Sequence, residues 1–276
     1  MNRNDYDTDV TVFSPQGRIF QVEYAMEAVN QGSACVGLAA GEYVVLAALK
    51  RLPSKLATHQ RKLLPIDEHL GVCISGLTAD ARSLCKYLRG ECLNHKYVFG
   101  SELPVGRLMS GLADKMQECT QSYVRRPYGV GMLVAGADKT GAHLFQTCPS
   151  GNVYEYKAHA IGARAQSART YLEKHYDGFA ALAAAGDKEA LLLHALRALA
   201  SCTEAEEELS VDNASLGVVQ VGSGFEVVDG TSMAPLIARL ADFNPDPPAA
   251  AAAAAGTAAD AAAADAADED DDMAMA

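Results

Sequence analysis

Cysteine and histidine, the residue types that most often carry metal or redox chemistry, are scattered along this chain of 276 residues. The seven cysteines form no CxxC pair, and the seven histidines form no HExxH arrangement. Cys85, Cys92 and Cys119 fall on the apolar faces of predicted helices, where core packing is favoured over metal binding. We therefore expect no metal site, no cofactor and reduced thiols.

Small-residue turns beside polar anchors indicate a different chemistry. Gly32 ends a predicted helix, Lys62 precedes a strand-like run, and Gly76 leads into the next helix. Helix N-termini and glycine-lined edges expose backbone N–H groups that can capture a carboxylate, and a nearby lysine adds positive charge. The simpler interpretation is that Lys62 is a solvated surface residue, as most lysines are.

The stretch SPQGRIFQVEYA, at positions 14–25, predicts a tight turn followed at once by a short amphipathic helix. Pro15 presets φ at the second position of the turn, and Gly17 suits its exit. The apolar residues that then recur at helical spacing are Ile19, Val22, Met26 and Val29. We expect this stripe to pack on the body of the protein or on a neighbouring chain.

The body that follows groups its predicted strands and helices in blocks. Strand-like runs cover 33–40, 43–49, 70–75, 130–136, 142–147, 153–160, 215–221 and 225–228. Apolar helix faces cover 81–92 and 105–119, and further helices are expected over about 164–177, 187–201 and 233–241. Strands, a helix pair, strands and another helix pair are typical of antiparallel sheets faced by helix layers, an α+β sandwich.

Composition and charge narrow the function classes. Nine acidic residues after Arg239 account for most of the net charge of −12, so the body is close to neutral and shows no nucleic-acid footprint. Apart from an alanine run near the end, the apolar stretches are too short to span a bilayer. The N-terminus lacks the layout of a secretory signal, so we expect a cytoplasmic or nuclear protein.

The composition changes sharply near Asn244. The segment 245–248, Pro-Asp-Pro-Pro, is a helix-breaking hinge, and the alanine- and aspartate-rich sequence beyond it almost lacks bulky apolar residues. Such a segment buries too little apolar surface to offset its ordering entropy. The sequence therefore predicts one domain over 1–243 and a disordered acidic tail over 244–276.

Several motifs together resemble the α-type subunits of the 20S proteasome. They are Tyr6-Asp7, SPQGRIFQVEYA, SGLTADAR at 75–82, Arg126-Pro127-Tyr128-Gly129-Val130 and Ile161-Gly162. The resemblance runs from about residue 4 to residue 243, and SPQGRIFQVEYA is highly specific for the family. The stretches AMEAVNQGSA, FQTCPSGN and IGARAQSARTYLE are similar to one subtype within it.

The resemblance implies a four-layer αββα sandwich of the Ntn-hydrolase type over 33–243, preceded over 1–32 by a gate segment and the N-terminal α-subunit helix. It also implies that no residue of this chain is catalytic. Catalytic relatives use an N-terminal threonine assisted by an aspartate and a lysine. Here Ser33 matches the nucleophile but follows the leader and has no free amine, and Leu49 replaces the aspartate, while Lys62 remains.

The resemblance also implies partners and site residues. Seven α subunits form a ring that caps the β rings, and their N-terminal segments close the axial pore. The matching gate cluster is Tyr6, Asp7, Pro15 and Tyr24, with Thr8 in place of the family's usual arginine. The matching pocket for regulatory-particle ATPase tails and other activators is Gly32, Lys62 and Gly76. The matching constriction loop of the pore is Tyr128, Gly129 and Val130.

The implied function is a non-catalytic structural subunit that acts in ring assembly, axial gating of substrate and docking of regulatory particles during ubiquitin-dependent protein degradation. The resemblance includes neither nucleic acid nor membrane as a partner. Two alternatives stay open. One is a processed Ntn-type peptidase that uses Ser33 after removal of the leader. The other is a free-standing binding protein of the same fold.

Overall fold

The computed structural model describes residues 6–51, 56–58, 60–203, 208–243 and 245. At its start the predicted turn is present: the Gly17 N–H donates to the Ser14 carbonyl at 2.9 Å, and the Arg18 N–H donates to Ser14 Oγ at 3.1 Å. The helix α1 (Phe20–Asn30) follows directly.

The buried face of α1 differs from the predicted stripe. The helix buries Phe20, Ala25 and Val29, whereas Met26 is 43% exposed. The reason is the direction from which the body contacts the helix. Val29 packs so closely on the strand residue Gly131 that a Cβ added there would lie 2.8 Å from Val29 Cγ1. Met26 therefore lies on the side of α1 that the described part of this chain leaves open.

Two five-stranded antiparallel sheets form the centre of the body. Sheet A has the order β10–β9–β2–β1–β8, built from β1 (Cys35–Ala40), β2 (Tyr43–Leu49), β8 (Ala158–Ile161), β9 (Ala214–Gln220) and β10 (Glu226–Val228). Sheet B has the order β3–β4–β5–β6–β7, built from β3 (Leu63–Asp67), β4 (Leu70–Gly76), β5 (Val130–Asp138), β6 (Gly141–Thr147) and β7 (Val153–Glu155).

Helices cover both outer faces, which confirms the predicted αββα layering. On sheet B lie α2 (Thr78–Phe99) and α3 (Val105–Glu118), and on sheet A lie α4 (Ala165–Ala184) and α5 (Lys188–Ala200). A single 3-10 turn leads into α6 (Ala234–Asp242). One apolar core lies between sheet B and its helices, and another lies between the two sheets.

The sequence prediction of one strand over 153–160 is wrong. The chain changes sheets at this point: β7 pairs with β6 in sheet B, whereas β8 pairs with β1 in sheet A. At the change, the Tyr156 N–H donates to the Leu144 carbonyl of sheet B, and the Lys157 carbonyl accepts from the Ala39 N–H of sheet A. The segment looks continuous in sequence because both halves have similar apolar content.

The helix predicted over 164–177 continues to Ala184. Alanine is the strongest helix former, and the continuation is rich in alanine. The contacts within the chain separate residues 1–241 from residues 242–276. Except for residue 245, the predicted tail over 244–276 lies outside the described residues, so its disorder stays a prediction.

Candidate functional site

The residues predicted to form the gate cluster are partly brought together in the structure. The Tyr24 hydroxyl, on α1, donates a hydrogen bond to Asp7 Oδ2 at 3.1 Å, and the Gln21 side chain donates to the Asp7 carbonyl. Pro15 lies at the exposed turn before α1, and Tyr6 is half-buried beside Asp7 in sequence. The leader is therefore tied to α1 through Asp7. Thr8 is exposed.

The three residues predicted to form the pocket lie around the junction of α1 and β4. At Gly32 a Cβ atom would lie 2.3 Å from Ser75 Oγ and 2.4 Å from the Gly76 backbone nitrogen. At Gly76, φ is +111°, and a Cβ would lie 2.3 Å from the Gly129 carbonyl oxygen. Only glycine fits either position without displacing backbone, so these glycines are explained by close packing of the chain.

Lys62 is buried, which contradicts the interpretation of a solvated surface lysine. Its side chain is 5% exposed, and its Nζ donates to the Ser33 carbonyl at 2.5 Å, to Ser33 Oγ at 2.6 Å and to the Ala34 carbonyl at 3.4 Å. The ammonium group thus holds the start of β1 in place. It points at these oxygens rather than at open solvent.

The geometry around Ser33 bears on the peptidase alternative. The Ser33–Lys62 contact preserves a serine–lysine pair, but Ser33 is only 8% exposed and is joined by a peptide bond to Gly32. Leu49, in the position of the family aspartate, supplies no carboxylate, and its N–H donates to the Ala34 carbonyl. The described pair therefore lacks the amine and the carboxylate that activate a catalytic threonine in the family.

The loop predicted to form the pore constriction is held by a charged contact that sequence reasoning missed. Arg126 makes a bidentate ion pair with Asp80, at 2.6 and 2.8 Å, and the Gly129 N–H donates to Asp80 Oδ2 at 2.9 Å. The hydrogen bonds from Arg126 lower the pKa of Asp80, against the opposing effect of burial. Asp80 lies in the motif SGLTADAR and Arg126 in the motif RPYGV. The opposite charges of the two motifs could therefore have predicted this ion pair.

The pocket and the constriction loop meet directly. The Leu77 N–H donates to the Gly129 carbonyl at 2.9 Å, next to the close approach of Gly76 to the same oxygen. Tyr128 is half-buried against the core under α2 and α3, and Val130 is fully buried at the start of β5. The loop therefore cannot shift without moving the end of β4.

Among the residues that the structure describes, no group of three or more histidine, cysteine, aspartate or glutamate side chains could hold a metal ion. Within the same part of the chain, no helix is long and apolar enough to cross a bilayer.

Comparisons with known proteins match this arrangement. The family model described as "Proteasome subunit" matches residues 29–219, and a second model, described as the N-terminal signature of A-type proteasome subunits, matches residues 6–28. The signature thus covers the leader and most of α1, and the larger model covers both sheets up to β9. The chain belongs to the α-type proteasome subunit family, whose fold is the Ntn-hydrolase sandwich.

Within that family, the chain is similar to proteins named as alpha type-1 subunits of the proteasome. It is 50% identical to the Dictyostelium discoideum protein over 89% of this chain and 98% of that protein. It is 48% identical to the Trypanosoma brucei rhodesiense protein over 83% and 85% of the two chains, and 52% identical to the Drosophila melanogaster protein over 75% and 73%. Alpha type-1 is therefore the subtype to which the motifs AMEAVNQGSA and IGARAQSARTYLE point.

Proposed function

We propose that this chain is a non-catalytic structural subunit of the α ring of the 20S proteasome, acting in ring assembly, axial gating of substrate and docking of regulatory particles. The observation that carries the proposal is the N-terminal signature at residues 6–28, which folds as a leader and helix ahead of the sandwich. We place the function in ubiquitin-dependent protein degradation in the cytoplasm and nucleus.

The proposal of no catalysis rests on covalent structure. An Ntn hydrolase needs the amine of its first residue as the base for its own nucleophile. Ser33 is preceded by thirty-two residues, and the leader is tied to α1 through Asp7. Removing the leader would also remove α1, whose Phe20, Ala25 and Val29 are buried in the structure. The Ser33 peptidase is therefore the weaker candidate.

Assembly with neighbouring α subunits is supported by the open side of α1. Tyr24 is 41% exposed and Met26 is 43% exposed, on a helix whose other face is packed on the body. Exposed large apolar side chains on an ordered helix are suited to contacts between subunits. We propose that flanking subunits of a seven-membered ring cover this side, and that β-ring subunits lie beneath.

The central experiment is purification of the full chain from its own cells through a tag placed after the acidic tail. We expect co-purification with the other subunits of a large core particle, and an intact mass that includes the leader. A free chain whose mature sequence starts at Ser33, together with hydrolysis of fluorogenic peptides by that chain, would overturn the proposal.

Gating can be tested at the hydrogen bond between Tyr24 and Asp7. Tyr24→Phe removes the hydroxyl that donates to Asp7 and keeps the ring. Because the family cluster holds the gate open, we expect cores with Tyr24→Phe to respond less to activators, with unchanged assembly. An unaltered activator response would remove Tyr24 from the gate.

Docking can be tested at Lys62. We propose that a tail carboxylate draws the ammonium away from Ser33 Oγ and binds against the backbone N–H groups near Gly32 and Gly76. Loss of one charge-assisted hydrogen bond, about 1.5–3 kcal/mol, predicts roughly 10- to 100-fold weaker binding of a tail peptide to Lys62→Met cores. The matched control is Lys86→Met, at an exposed position on α2. Equal affinity of the two variants would remove the assignment.

A further inference from the structure

Two cysteines from opposite sheets meet in the core between them. Cys35 is the first residue of β1, in sheet A, and Cys73 lies in β4, in sheet B. Both are fully buried, and both belong to the cluster of apolar residues between the sheets. Cys35 Sγ donates at 3.2 Å to the carbonyl of Ile74, the residue that follows Cys73, and each thiol shifts the pKa of the other. Both are free thiols.

The two thiols are electrostatically unequal. Burial alone would raise the pKa of Cys35, but the Cys73 thiol and the neighbouring Lys62 ammonium lower it below its ordinary value. Burial and the contact with Cys35 raise the pKa of Cys73. By contrast, burial raises the pKa of Cys85 to about 11 and that of Cys92 to about 12. The Lys62 ammonium, which donates to the Ala34 carbonyl beside Cys35, favours Cys35 as the nucleophile of the pair and leaves Cys73 as the resolving thiol.

We propose that Cys35 and Cys73 form a site of oxidative modification, at which a small peroxide converts the facing thiols into a disulfide between the two sheets. The site is independent of the gate cluster and of any catalysis. It lies beside Lys62, on the strand that ends at Ser75 and Gly76, so the cross-link would fix the inner wall of the proposed tail pocket.

The chemistry balances with peroxide as the only co-reactant. The Cys35 thiolate attacks one peroxide oxygen, the O–O bond breaks, and the departing hydroxide takes up a proton to leave as water. Cys35 is then a sulfenic acid. The Cys73 sulfur attacks the Cys35 sulfur, the S–O bond breaks, and the hydroxyl leaves with the Cys73 proton as a second water. Two electrons pass from the thiols to the peroxide.

The burial of both thiols limits the oxidant to a small molecule such as a peroxide. Neither sulfur is open to solvent, so a bulky disulfide such as oxidised glutathione cannot approach either one in the folded state. A molecule close to water in size reaches buried groups during local opening. Cys148 is half-buried and serves as an internal indicator that the oxidant was active.

Peptide mapping of the full chain gives a direct test, because trypsin places each thiol in a separate peptide. Residues 19–50 contain only Cys35, and residues 63–82 contain only Cys73. After hydrogen peroxide and blocking of free thiols, we expect these peptides to be joined, with the combined mass lowered by two hydrogens. The link should persist in Cys202→Ser, which alters a different buried cysteine.

Trapping separates the roles of the two sulfurs. With dimedone, which labels sulfenic acids, we expect label on Cys35 in Cys73→Ser and none on Cys73 in Cys35→Ser. The oxidation is run in native buffer and in urea below the unfolding transition. Oxidation of Cys148 without any link between residues 19–50 and 63–82 in both buffers would overturn the proposal. The wild-type map alone decides between these outcomes if a serine variant fails to fold.

Discussion

Replacing Gly32 by alanine tests whether close packing at the junction of α1 and β4 is what places the candidate site. The added Cβ would lie 2.3 Å from Ser75 Oγ, 2.4 Å from the Gly76 nitrogen and 3.0 Å from the Val29 carbonyl oxygen. The Ser75 hydroxyl already donates to the Val29 carbonyl at 2.9 Å, and Gly76 is backbone. Neither neighbour can give way without moving β4 or the end of α1.

The expected cost follows from these contacts. Overpacking of a filled core costs about 1–3 kcal/mol, and disturbing the Ser75 hydrogen bond adds about 1 kcal/mol. We therefore expect Gly32→Ala to lower the free energy of unfolding by about 3 kcal/mol. Gly90→Ala is the matched control: Gly90 lies inside α2 with no atom within 4 Å of the added Cβ. There alanine should stabilise by about 1 kcal/mol through helix propensity.

Urea unfolding of the full chain, followed by far-UV circular dichroism, measures both effects. Replacing glycine by alanine should therefore lower the free energy of unfolding at position 32 and raise it at position 90. At ~2–4 °C per kcal/mol, Gly32→Ala should also melt roughly 6–12 °C below the wild type. A Gly32→Ala chain within about 0.5 kcal/mol of the wild type, a normal range for surface changes, would refute the packing argument.

Three further predictions concern charge, protonation and the tail. Asp80→Asn should cost about 1–2 kcal/mol at neutral pH through loss of the Arg126 pair. Folding lowers the pKa of Asp80, so the wild type loses this stabilisation as the pH falls through the folded-state pKa. The difference in free energy of unfolding between Asp80→Asn and the wild type, measured by urea unfolding, should therefore shrink over the same pH range. Burial and Arg169 lower the pKa of His159 from 6.5 to about 4, so the folded state binds its proton less well. Between pH 7 and pH 5 the free energy of unfolding of the wild type should fall by about 2 kcal/mol, and His159→Gln should not show this loss, as read from melting curves. A chain truncated after Asn244 should enter core particles normally on native gels, and its exclusion would make the tail structural.

Most of the layer order could be predicted from the sequence because it depends on local patterns. The apolar faces of α2 and α3 repeat at helical spacing, and the hairpin of β1 and β2 is marked by Gly41-Glu42. The change of sheet at Tyr156–Lys157 could not be predicted in the same way. Both halves of that run have strand character, and only the partners β6 and β1, distant in sequence, separate them.

The motifs predict which residues belong to the site, and the structure adds the contacts of these residues. The sequence leaves two interpretations of Lys62, a pocket residue and a solvated surface lysine. The second is wrong because the ammonium is buried with three oxygen acceptors around Ser33 and Ala34. The pairing of Asp80 with Arg126 was missed because 46 residues separate them. The spacing of two residues along the chain does not predict such an ion pair. Opposite charges within two specific motifs do indicate it.

The position of β2 in the middle of sheet A dictates the order in which this protein can be built. Its two neighbours come from opposite ends of the body: β1 precedes it directly, and β9 pairs Gln220 with Tyr43. At ribosomal speed, roughly ten to thirty seconds separate the synthesis of the two partners. Throughout that interval one edge of β2 displays unpaired N–H and C=O groups that other growing chains can join. A product that stops before Ala214 is therefore an open sheet prone to aggregation rather than a smaller version of the protein.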